Sequence, residues 1–131
     1  MKLEEMLDGL IGSRLAEMSD EGFTVRGDDG KERHFVFEKD YGDCCGFNEV
    51  TSTIFFNPND KENLPAITNI DRLEDELPTD DGNSLRITFF GLAKKLAVVD
   101  SYSSSGSGWE YGATVTLVCK ETGAEATVTS W

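Results

Sequence analysis

Positive charge is what this chain lacks most. Its 131 residues hold 12 Lys and Arg against 25 Asp and Glu, a formal net charge of −13, with a single histidine. Phosphates repel such a chain and no basic stripe interrupts it, so direct nucleic-acid binding is excluded as its trade, as is an anionic membrane surface. Long hydrophobic runs are also missing: nothing approaches the roughly 18–20 apolar residues of a membrane span. The acidic start, Met1-Lys2-Leu3-Glu4-Glu5, has no apolar core of a signal peptide. Cysteine is scarce and badly placed for a disulfide framework, with three in total and two of them adjacent, Cys44 and Cys45. That usage points to a reducing compartment, and the expected location is the cytoplasm of a host cell. Only three prolines occur, and there is no Pro-rich linker or internal repeat.

Aromatics are present in quantity. Eight Phe, three Tyr and two Trp can supply the core of one domain spanning residues 1–131, which a disordered acidic tail would not carry. The apolar spacing of Leu3, Met6, Leu7, Leu10 and Ile11 predicts a short amphipathic helix over residues 2–11, stopped by Gly12. From there the period becomes two. Strands are expected at 14–18, 22–26 (GFTVR), 33–38 (RHFVFE), 66–73, 85–90 (LRITFF), 95–102, 113–120 and 124–131, with 52–57 a candidate for a further short one. Phe35 and Phe37 share one face of their strand, and Leu85, Ile87 and Phe89 share one face of theirs. Residues 39–50 read as a loop rich in Asp, Gly and Cys, and 103–108 as a short Ser/Gly loop. Connections this short leave no room for crossover helices. The expected fold is mostly β within the α+β class: an antiparallel sheet, or a small partly open barrel, of about seven or eight strands with one N-terminal helix.

No catalytic motif stands out. There is no Gly-x-Ser-x-Gly elbow, no Walker loop and no His-Glu-x-x-His. His34 could serve as a base, yet no serine or cysteine context selects a nucleophile for it. The segment Asp43-Cys44-Cys45, with Asp40 and Glu49 nearby, gathers thiols and carboxylates, but adjacent cysteines chelate one ion poorly and Cys-x-x-Cys is absent. Small buried fillers anchoring a loop are the simpler reading of that pair. Asp28-Asp29-Gly30 and Asp80-Asp81-Gly82 lack the oxygen spacing of an EF-hand and suit turns. The expectation is a non-enzymatic protein without metal or cofactor.

The acid itself is unevenly placed. Residues 71–81 (DRLEDELPTDD) hold six carboxylates and one Arg, whereas residues 101–131 hold three acids and one base. Asp71, Glu74, Asp75, Glu76, Asp80 and Asp81 are therefore the candidate contacts for Lys and Arg on a partner. Trp109 and Tyr111, which close the SSSGSGWEY segment, are candidate apolar anchors.

Phe35-Val36-Phe37, Asp43-Cys44-Cys45, Ile87-Thr88-Phe89-Phe90 and 105–111 (SGSGWEY) together resemble a family of small phage and prophage proteins of unknown function. That family shares an Asp-Cys-Cys motif and an aromatic Ser/Gly loop. The resemblance spans roughly residues 12–118. This chain has Gly46 where the family usually has Glu, and Trp109-Glu110-Tyr111 where the family has paired tyrosines. The resemblance implies a viral or mobile-element origin, which favours small proteins that bind host machinery. The leading expectation is a phosphate-mimicking inhibitor of a host nucleic-acid-handling defence system, of the anti-CRISPR kind, with a basic host protein as partner. The alternatives are a small-ligand or metal-binding module around Asp43, Cys44, Cys45 and His34, and a virion or assembly component. Oligomeric state is left open.

Overall fold

A computed structural model describes residues 1–41, 47–76, 82–104 and 113–131. A short helix, α1 (Leu3–Asp8), precedes β1 (Arg14–Met18), β2 (Gly22–Arg26), β3 (Glu32–Asp40), β4 (Phe47–Ile54), β5 (Asn69–Glu76), β6 (Gly82–Gly91), β7 (Lys94–Ser104), β8 (Thr114–Cys119) and β9 (Glu125–Ser130). The strands form two antiparallel sheets, ordered β1-β2-β3-β8-β9 and β4-β7-β6-β5. The mostly-β expectation with one N-terminal helix is what the molecule shows. Its strands divide between two facing sheets that do not close into a barrel.

Alternation explains the elements. In β6, Leu85, Ile87 and Phe89 are buried with period two, and in β3 Phe35 and Phe37 are. These faces meet. Phe23 of β2 stacks on Phe35 with ring centroids 4.9 Å apart, and meets Phe89 of the opposite sheet edge-on at 5.3 Å. Gly22 is required beside this cluster, because a Cβ there would stand 2.0 Å from the Phe35 carbonyl oxygen.

One seam between the sheets is laced by backbone. The Leu15 N–H donates to Pro65 O at 2.9 Å, Gly12 N–H to Ile67 O at 2.8 Å, and Ile67 N–H to Ser13 O at 2.8 Å. The next amide, Thr68, donates to Phe90 O at 2.8 Å. The segment leading into β5 thus pairs first with the start of β1 and then with β6.

Several boundaries differ from the sequence expectation: β4 replaces an expected 52–57, β5 runs three residues later than the expected 66–73, and β6 is longer than 85–90 at both ends. The region read as a loop at 39–50 contains the end of β3 and the start of β4, where Asn48 and Val50 point inward. Asn48 looks like a turn residue, but its Nδ2 donates to Asp40 O at 2.8 Å and its Oδ1 accepts from Ser103 Oγ at 2.6 Å. Satisfied in this way, it can be buried within a strand. Likewise Ser103 and Ser104 belong to β7 rather than to the Ser/Gly loop. The helix ends at Asp8, and the chain continues through tight bonds from Leu10 N–H to Leu7 O and Ile11 N–H to Asp8 O. Leu10 stays buried, while Ile11 turns outward at 43 % exposure.

Candidate partner-binding surface

The acidic stretch begins as structure, not as loop. Asp71, Glu74, Asp75 and Glu76 all lie on β5, an edge strand paired only with β6. Strand alternation separates them. Arg72 and Glu74 stand opposite Ile87 and Leu85, on the side of β6 that faces the core. Asp71 and Leu73 stand opposite Thr88 and Arg86, on the outer side. Asp75 and Glu76 continue the register opposite Ser84 and Asn83. Asp71, Leu73 and Glu74 are exposed, Leu73 by 65 %. Asp80, Asp81, Trp109 and Tyr111 lie outside the described residues, as do Asp43, Cys44 and Cys45.

The nearby cations are committed elsewhere. Arg72 pairs with Glu4 of α1. Arg86 holds Asp100 of β7 through two bonds, Nε to Oδ1 at 2.7 Å and Nη2 to Oδ2 at 3.2 Å. That hydrogen bonding, with the carboxylate charge behind it, raises the Arg86 guanidinium above its ordinary pKa, so it stays charged. Among the described residues no cation forms an ion pair with Asp71 or Glu74. Asp71 accepts only a neutral hydrogen bond, from Asn69 Nδ2 at 3.2 Å.

Topology also gathers what the sequence scatters. Phe47, Ser104 and Gly82 are aligned across the second sheet, and Asp40, Thr114 and Ser130 across the first. The strand ends that carry connections 42–46, 77–81 and 105–112 therefore sit at one end of the sandwich. Glu76 reaches the same end. Directly beneath runs a chain of hydroxyls: Ser101 Oγ and Ser103 Oγ each meet Thr129 Oγ1 at 2.8 Å, and Ser103 continues to Asn48. Ser103 is 0 % exposed, so this is a fixed polar floor.

His34 is placed away from that end. It lies six residues from Asp40 along β3, about 20 Å at strand rise. Its Nδ1 stands 3.0 Å from Glu121 Oε2, and its backbone N–H donates to Glu121 Oε1. Those two contacts, the backbone one first, hold the Glu121 carboxyl below its ordinary pKa. Among the described residues no group of three or more His, Cys, Asp or Glu stands close enough to hold a metal ion.

Sequence reasoning missed one concavity. A groove of about 640 Å3 crosses the outer side of β1, β2 and β3 under residues 58–61. His34, Thr24, Lys61 and Lys120 line it beside Met18, Val36 and Pro58. Its residues come from four separate stretches with no shared spacing, so no motif could have announced it. No helix among the described residues is long and apolar enough to cross a membrane. The chain matches no protein-family model, no curated protein and no solved structure.

Proposed function

We propose that the protein is a non-enzymatic, phage- or prophage-type binding protein that occupies a Lys/Arg-rich, phosphate-binding surface of a host nucleic-acid-handling protein. The observation that carries this reading is β5: Asp71 and Glu74 are exposed on an edge strand, and both arginines around them are tied to Glu4 and Asp100. Asp71 and Glu74 fall on opposite faces of the strand, so the edge offers carboxylate on both sides of the sheet. A net charge of −13 adds a long-range field that steers a basic surface toward the chain.

The test is inhibition of nucleic-acid binding by purified CRISPR effectors, measured with increasing salt and with the variants Asp71→Lys and Glu74→Lys. The expected result is inhibition that weakens steeply between about 50 and 200 mM salt and is lost on charge reversal. Inhibition indifferent to salt, or retained by the reversed variants, would overturn the reading. A second reading, a small-ligand module, is favoured by the groove over β1–β3. There Thr24, whose residue is 5 % exposed, shares the lining with Lys120 and with Lys61, which is paired with Glu17 at 3.6 Å. It predicts saturable shifts of the His34 and Thr24 resonances in a screen of small carboxylates, and no such shifts for any of them would remove it.

A further inference from the structure

We propose that β5 is an open sheet edge that accepts an extended Lys/Arg-rich segment of a partner protein as a further strand of the second sheet. This rests on the basic-partner reading above and adds the mode of contact. Two sheets have four edges, and three of them are occupied from outside their ladders. β1 is bonded along its first half by residues 65–67. β4 is capped by Asp20, whose Oδ1 accepts from the Ser52 N–H at 2.7 Å and from Ser52 Oγ at 2.8 Å. β9 lies against α1, and its Ser130 carbonyl accepts from Asn83 Nδ2 at 2.7 Å. β5 is eight residues long. Among the described residues, the backbone of residues 69–74 makes no hydrogen bond except in the ladder to β6.

An unpaired edge is a template for another strand, and its side chains choose which. A second copy of β5 would set acid against acid, which cross-strand pairing disfavours. A strand carrying Lys or Arg would set opposite charges across the new ladder, which pairing favours. Leu73, exposed between Asp71 and Glu74, offers an apolar surface for the aliphatic stem of a lysine or arginine. The acidic edge thus refuses its own kind and selects a basic one.

The experiment uses two peptides of β5's length that alternate lysine and threonine. They differ only in N-methylation of alternate amides along one edge, which removes ladder donors and keeps the charge. Each is titrated into isotope-labelled protein at low salt, with hydrogen exchange followed by NMR. The expected result is slowed exchange at β5 amides with the unmethylated peptide, and roughly tenfold weaker binding of the methylated one, as loss of two or three ladder bonds would give. The variants Asp71→Lys and Glu74→Lys weaken both peptides, whereas Asp28→Lys and Asp29→Lys, in the β2–β3 turn, do so much less. Equal affinity of the two peptides would overturn the added strand while leaving a charge-driven contact. Failure of both peptides to bind would overturn the basic-partner reading as well. Protection of β5 amides by self-association of the free protein would overturn the choice of occupant.

Discussion

The space between the sheets has two ends built on opposite principles. Toward the Phe89 end of β6, rings fill it: Phe23 packs 4.9 Å from Phe35 and 5.3 Å from Phe89, centroid to centroid. Toward the Gly82 end, Ser101, Ser103, Thr129 and Asn48 fill it with hydroxyls and an amide. The aromatic end gains its energy from area removed from water, and tolerates some variation in shape. The hydroxyl end gains little net energy and is exact in its demands, since each buried polar group depends on its neighbour. The three connections that carry the chain's unusual motifs are anchored at the hydroxyl end.

Mutations can break or sharpen this contrast. The largest effect is expected at the aromatic end: Phe89→Ala should cost about 3–5 kcal/mol, read as a lowered urea midpoint. At the hydroxyl end, Asn48→Ala removes one of the Ser103 hydroxyl's two partners and the side-chain bond to Asp40 O, and should cost about 1–3 kcal/mol. Replacing Ser101, Ser103 and Thr129 together by Ala, Ala and Val should cost less than the summed single changes, because the three hydroxyls leave together and the Asn48 Oδ1 loses its donor once. Additive costs would show that these hydroxyls do not act as a chain. Outside both ends, Glu74→Lys should alter stability by no more than about 0.5 kcal/mol in thermal melts while abolishing binding to a basic partner. The smallest effect is at Glu121. Its carboxyl is held below its ordinary pKa, so its contribution is present at neutral pH and fades as pH falls through the carboxylate range. Melting temperatures of wild type and Glu121→Gln should therefore converge on acidification, and a gap that widened would contradict the His34 contact.

Much of the fold was legible in the chain. Leu85, Ile87 and Phe89 announced β6 and its buried face by period alone, and Phe35 and Phe37 did the same for β3. The miss at Asn48 and Ser103 has one cause. Both are polar residues that read as loop, and each is buried with partners brought from elsewhere: they bond each other across 55 positions, Asn48 also bonds Asp40 O, and Ser103 also meets Thr129. The candidate site was legible as composition: residues 71–81 stand out by charge. That Asp71 and Glu74 fall on opposite sides of one strand, and that the strand is an edge, was not legible. Nothing local to β5 distinguishes an edge from a paired position.

The sequence by itself determined most of the strands, the aromatic core and the excess of carboxylates, because period, propensity and charge are properties of neighbouring residues. The tertiary structure decided which edge stayed open, which cations were consumed by Glu4 and Asp100, and which distant connections share an end. Those are outcomes of strand order and pairing, which depend on contacts between residues far apart in the chain and leave no trace in any single stretch of it.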